Sequence, residues 1–352
     1  MKISHNDIKI TPIMDSLKLQ KIDDEVYFSK QYSNYISNSR LGLLNESQGG
    51  SPESFFEGFK PFYSSSLDIG SAVHALTLQK DLFVIADEVD KPTAKMGAMA
   101  EELFKIWKGH IPTKEDIIEV AKRVDYYKGN LTQKKIDDVI EKCKDYWVTK
   151  NRYIRTHKDD PRSVLYLDPK SREIAYNCVD ALERNKKIQN LLHPKATLEG
   201  FSDPISEMEQ AILLDIQVET PETNPFILRL KSKLDHYSID KDNNEICVND
   251  VKTLGKIVSK MEENISRYHY NREFAMYGYL LRLVAEKYYG LKDPTLKGNY
   301  LIVSTIPGHY TKVLPVSAKM FKEGFNEFQY LIKQVAELVA TNEQYKDFAI
   351  WI

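Results

Sequence analysis

Apolar and polar residues alternate in three runs along the chain, Glu209 to Val218, Phe226 to Ile239 and Glu245 to Lys252, which turn-rich stretches separate. A period of two places successive side chains on opposite faces of an extended backbone, so these runs predict three strands in a meander. Over Ser66 to Gln79, several segments from Ala98 to Leu192, Ile257 to Tyr289 and Ala318 to Thr341, apolar residues return at three- and four-residue spacing. That spacing predicts helices. Short strands are expected at Tyr300 to Thr305 and Thr311 to Pro315. There is no internal repeat, and a polar break at Asn45 to Glu57 sets off an N-terminal piece. The expected fold class is α/β, a mixed central sheet flanked by helices, all in one domain. Within it, residues 1–60 are expected to be a helical segment, 61–96 a core helix, 97–195 a helical insertion and 196–352 the α/β core.

Composition narrows the class without naming a function. The 352 residues are 42% hydrophobic and 28% charged, with a net charge of -2, as in a soluble globular protein. Near-neutrality means that any nucleic-acid role needs basic residues gathered on one face. From Lys105 to Lys158 there are 14 Lys/Arg against 8 Asp/Glu, interleaved with Trp107, Tyr126, Tyr127, Tyr146, Trp147 and Tyr153. This stretch reads either as a solvated helical surface with core aromatics or as a wall that tracks DNA. Charges interrupt the N-terminal residues, and no apolar run reaches the length of a bilayer span, so no membrane role and a cytoplasmic location are expected. Cys143, Cys178 and Cys247 lack metal-ligand spacing and read as buried thiols.

Candidate chemistry is concentrated in KSKLDHYSIDKDNNEICVNDVKTLGK. Asp250 and Lys252 are two apart in a strand and share a face. If the strands on either side of the Asp240 to Asn244 turn pair as a hairpin, Asp235 sits beside Asp250, and two carboxylates in contact repel unless a cation lies between them. Mg²⁺ suits oxygen ligands and keeps waters in its shell, one of which can be a nucleophile. Lys252 would orient or deprotonate that water, or neutralise charge on a phosphate. Glu209, with Glu207 as its rival, would add another metal oxygen. The plain alternative is an exposed hairpin with a surface Asp-Lys pair.

Five pieces in order carry a family resemblance: Gly70-Ser71-Ala72-Val73-His74, Glu209, Leu234-Asp235, Asp250-Val251-Lys252-Thr253 and Tyr270-Asn271-Arg272-Glu273-Phe274-Ala275-Met276-Tyr277. Over roughly residues 35 to 315 the chain resembles the PD-(D/E)XK nucleases, in particular the lambda-exonuclease-like branch that includes the nuclease domain of exodeoxyribonuclease VIII. The resemblance implies a restriction-endonuclease-like core. It implies His74, Glu209, Asp235, Asp250 and Val251 around Mg²⁺, with Mn²⁺ as a substitute, and Lys252, Asp235, Asp250 and Glu209 as the catalytic set. The family's Tyr-x-x-Gln followed by Tyr fits Tyr270, Glu273 and Tyr277, with Glu in place of Gln. These three lie on one helix face and would line a DNA groove beside Arg272. Ser39 and Arg40, in Ser37-Asn38-Ser39-Arg40-Leu41-Gly42, resemble a segment that receives a DNA 5′ phosphate; a capping role is the alternative. The implied activity is Mg²⁺-dependent exonucleolysis of linear double-stranded DNA, 5′ to 3′, in phage-type recombination. A structure-specific or single-strand endonuclease and an inactive DNA-binding scaffold are the alternatives. The implied partners are DNA, a single-strand annealing protein and further copies of the chain in a ring of three or four.

Overall fold

The computed structural model describes residues 3–46, 49–58, 64–107, 109–127, 131–196 and 198–352. In chain order its strands are β1 (Lys9–Pro12), β2 (Lys18–Lys21), β3 (Tyr35–Ile36), β4 (Phe83–Ile85), β5 (Ser163–Leu165), β6 (Ile205–Thr220), β7 (Thr223–Asp240), β8 (Glu245–Leu254), β9 (Thr295–Ser304), β10 (Thr311–Pro315) and β11 (Ile350–Trp351). The helices are α1 (Asp24–Tyr27), α2 (Asn38–Gly42), α3 (Pro52–Glu57), α4 (Ser65–Leu78), α5 (Ala94–Ile106), α6 (Lys114–Arg123), α7 (Gln133–Thr156), α8 (Pro169–Arg184), α9 (Lys186–Leu192), α10 (Met261–Tyr268), α11 (Tyr270–Tyr289) and α12 (Ala318–Thr341).

The central sheet runs β1-β6-β7-β8-β9-β10, with β2 also on β6 and both β3 and β11 on β7. β6, β7 and β8 form the expected antiparallel meander, and β9 joins β8 in parallel. Parallel pairing needs a crossover, which α10 and α11 supply. Because helices cover both faces, β8 is buried along most of its length, unlike a strand with one wet face. Ile246 and Val248 pack in the core that includes Phe274, Leu280 and Leu281 of α11, while Val251 packs in a second core with α4 and α8. In that second core α4 sets Ile69, Val73 and Leu78 against Val251, Leu301 and Val303. At about 2 kcal/mol for each large side chain removed from water, this contact fixes the helix on the sheet. α11 and α12 approach so closely that a side chain at Gly324 would start 2.1 Å from the carbonyl oxygen of Asn271, so only glycine fits there.

Three expectations change. Residues 1–60 are not simply helical: β1 and β2 extend the sheet on β6, and β3 lies parallel to β7. These strands are two to four residues long, too short for alternation to show. The helix expected over Ile257 to Tyr289 breaks at His269, which has φ 54° and divides α10 from α11. The insertion is shorter than 97–195, because α8 and α9 pack on the sheet. β4 and β5 pair in parallel where the chain leaves for α5–α7 and returns. Those three helices build a separate core around Met99, Leu103, Val120, Val139 and Trp147. Tyr146, Trp147 and Tyr153 are buried there, so these aromatics of the basic stretch are core residues. Among the described residues no helix is long and apolar enough to cross a membrane.

Candidate functional site

The register that pairs His236 with Asn249 brings Asp235 beside Asp250 at the end of the β7–β8 ladder. There the strands part, and the Val251 N–H donates to Asp235 Oδ2 at 2.8 Å. On the other side of β7, Met208 pairs with His236 and Gln210 with Leu234, which places Glu209 across from Asp235. Glu209 has φ 55°, a left-handed conformation that costs a non-glycine residue about 1 kcal/mol. The local kink turns its carboxylate toward Asp235. Strain of this kind persists where the surrounding structure enforces it.

His74 reaches the same point from α4. Its Nε2 lies 2.6 Å from the Val251 carbonyl oxygen and its Nδ1 3.4 Å from Asp235 Oδ2. A carbonyl only accepts, so Nε2 carries the proton and Nδ1 presents a lone pair to the carboxylate. Burial and the nearby Lys252 charge push the imidazole pKa down, keeping the ring neutral. Two electron-rich atoms therefore face each other. Either a proton or a cation must lie between them, and burial raises the Asp235 pKa to about 7. One ligand atom each from His74, Glu209 and Asp235 falls within 4.8 Å of the others. The rival Glu207 is outside that group, where it accepts from Gln210 at 3.3 Å.

Asp250 lies beside this group and is paired with lysine. It is 1% exposed, and Lys252 Nζ lies 3.0 Å from its Oδ1 and 2.8 Å from its Oδ2. Glu273 Oε2 is 3.1 Å from the same ammonium, and Tyr277 donates its hydroxyl to Glu273 Oε1 at 3.1 Å. Tyr270 supplies a ring face 4.9 Å from Nζ. Flanked by two carboxylates, Lys252 is held well above the usual lysine pKa despite its burial. With Asp235, Asp250 and Glu273 around one ammonium, negative charge is in excess. Burial first, and this excess second, make the Asp235–Asp250 pair retain a proton more tightly than free carboxylates do.

A cavity of about 680 Å³ opens next to this cluster. Glu273 and Tyr277 form part of its wall, together with Lys231, Lys233, Ser39 and Arg40. Lys233 Nζ bridges Glu209 at 2.7 Å and Asp24 at 2.6 Å, tying α1 to the carboxylate cluster. Burial and the Arg40 charge lower the Lys231 pKa to about 8. The Arg40 fork expected for a phosphate is already occupied. Its Nε donates to the Phe55 carbonyl at 2.9 Å and its terminal nitrogens donate to Ser33 and Phe56 carbonyls. Ser37 caps α2 by accepting from the Arg40 N–H at 3.2 Å.

Arg272 requires a correction. It is 2% exposed, and its guanidinium donates to the Asn38 side chain at 2.8 Å and to Glu327 at 2.8 Å. It joins α2, α11 and α12 from inside and does not face a surface that DNA could reach. Arg272→Ala should cost about 3 kcal/mol in chemical denaturation, because it strands Glu327 and the Asn38 side chain. Its loss should leave the salt dependence of DNA binding unchanged. A reduced salt slope without loss of stability would return Arg272 to the surface.

Lys231 and Lys233 were missed in the sequence although their signal was present. They precede Asp235 by four and two residues in the same strand and therefore share its face. The Glu209 kink had no such signal, since nothing in Met208-Glu209-Gln210 marks a left-handed residue.

No family model and no curated protein matches the chain. Among solved structures, a crystal structure of a candidate exonuclease from Eubacterium rectale is similar to it, with 12% identity, 92% of this chain and 87% of that chain covered, and a TM-score of 0.45.

Proposed function

We propose that this chain is a metal-dependent deoxyribonuclease that hydrolyses phosphodiester bonds, acting as a 5′ to 3′ exonuclease on linear double-stranded DNA in phage-type recombination. One observation carries the reading: His74, Glu209 and Asp235 converge on one point beside a protonated Lys252. The donor set suits a hard divalent cation. Two carboxylates favour Mg²⁺, and the imidazole makes Mn²⁺ an acceptable substitute. His74, Glu209 and Asp235 would hold the ion, with the Val251 carbonyl close by. Asp250 would join them only in competition with its Lys252 pair. When bound, such an ion supplies an activated water and charge neutralisation at the phosphate.

The chain's own residues define the remaining roles. Lys252, held between Asp250 and Glu273, acts by orienting the attacking water or by placing positive charge against the phosphate. Asp250 and Glu273 orient that ammonium, while Tyr277 holds Glu273. Lys231, whose ammonium donates to the Tyr27 carbonyl, and Lys233, shared by Asp24 and Glu209, line the neighbouring cavity, with Ser39 on its wall.

The test uses linear duplex, nicked circle, closed circle and single strand, with 5′ or 3′ label and Mg²⁺. Mononucleotide release from the 5′ ends of linear duplex is the expected result. Cutting of closed circles would replace the exonuclease by a structure-specific endonuclease, and no cutting of any substrate would leave a DNA-binding scaffold. A net charge of -2 holds DNA weakly, so enclosure by a ring of three or four copies would keep the enzyme on its strand. Light scattering should give the mass of that ring, and a strict monomer on DNA would exclude it. A single-strand annealing protein is the proposed partner for the product strand.

A further inference from the structure

Among the described residues, Phe28 is the most exposed large hydrophobic side chain, at 75%. Single exposed apolar residues are ordinary on protein surfaces, so exposure alone assigns nothing. The position of Phe28 is more specific, because it lines the same basic cavity as Lys231, Lys233, Glu273 and Tyr277. Its backbone closes the single turn of α1, with its N–H bonded to the Asp24 carbonyl at 2.9 Å. That turn is tied down twice from β7. Lys231 Nζ donates to the Tyr27 carbonyl at 2.7 Å, and Lys233 joins Asp24 to Glu209. The Phe28 ring stands edge-on to Tyr27, with centroids 5.0 Å apart at 90°, and Lys231 Nζ is 5.7 Å from its centre.

We infer that Phe28 is a stacking platform for one unpaired nucleobase of the strand being cut. The inference rests on the nuclease reading above and adds a base-contacting residue to it. An aromatic face takes any base but not one inside the duplex, where each paired base has neighbours on both faces. The cavity volume lies within the range of about 300–1,000 Å³ typical of small-molecule sites, so it can take a single nucleotide. The basic side chains lining the cavity favour the phosphate of the same nucleotide, leaving its base free to lie on Phe28. Because the backbone of this turn is already tethered, only the Phe28 side-chain torsions are left to be ordered when the base arrives.

The experiment measures binding of an oligonucleotide series in which one abasic residue is moved stepwise from the 5′ end, with Ca²⁺ replacing Mg²⁺ to prevent cutting. Wild type should lose affinity by on the order of tenfold at one position and little at the others. Phe28→Ala should bind the intact strand with the same loss and show no further loss at that position. Phe28→Trp should restore both the affinity and the abasic penalty. Equal binding by Phe28→Ala and wild type would overturn the inference while leaving a cleaving enzyme intact. So would an abasic penalty spread evenly along the strand, a result that wild type alone provides should the alanine variant not fold. A wild-type protein that neither binds nor cuts DNA would remove the nuclease reading and the platform together.

Discussion

Lys252→Met is expected to slow strand cleavage by about 10²–10³-fold at saturating Mg²⁺, the usual loss when one preorganised positive group facing a developing oxyanion is removed. Divalent-ion binding should survive, since the lysine is not among the converging ligands. The substitution also changes stability. Asp250 and Glu273 now share one ammonium, at 2.8 and 3.1 Å, and methionine leaves them buried without a counter-charge. Two buried carboxylates left without a counter-charge cost about 3 kcal/mol near neutral pH. Denaturation at pH 8 and pH 5 should show the deficit shrinking at the lower pH, where protonation is easier. Turnover equal to wild type would remove Lys252 from the chemistry, whatever the stability result.

The second large effect concerns Asp235 and the cation. Its pKa is raised to about 7 from an ordinary value of about 4, so the folded chain binds this proton more tightly than the unfolded chain does. The contribution of this group to folding stability without metal is therefore greatest below about pH 4 and is lost as pH rises toward about 7. Three units correspond to at most about 4 kcal/mol, and the slope belongs to the Asp235–Asp250 pair jointly. Asp235→Asn should flatten that slope and melt higher than wild type at pH 8 in EDTA. Adding Mn²⁺ at about a hundred times its dissociation constant should stabilise wild type by about 2.7 kcal/mol and the variant hardly at all. Cleavage by Asp235→Asn should fall to background. A variant that still responds to Mn²⁺ would place the ion elsewhere.

The sheet centre and the carboxylate hairpin were legible because they depend on short-range rules. Alternation gave β6 to β8, and two-residue spacing put Asp250 and Lys252 on one face. The helix around His74 followed from its apolar spacing, but its docking on Val251 depends on a partner 177 positions away. Sequence patterns do not encode such distances. The Tyr270, Glu273 and Tyr277 face is real, yet Glu273 turns inward to Lys252, a destination set by the tertiary position of β8. Arg40 and Arg272 show the opposite failure. An arginine near a candidate DNA groove reads as a phosphate ligand, and only packing reveals that buried carbonyls and Glu327 have taken its donors.

The separate core of α5 to α7 bears on how the molecule opens. Its buried side chains pack chiefly with one another, and the chain enters and leaves through the parallel β4–β5 pair. Two cooperative units are expected, since stability is carried locally by the contacts each group of residues makes. Amide hydrogens of α6 and α7 can then exchange through openings that leave those of β7 and β8 protected. Opening of the insertion is expected to leave His74, Glu209 and Asp235 in place, because the elements that carry them pack in the other cores.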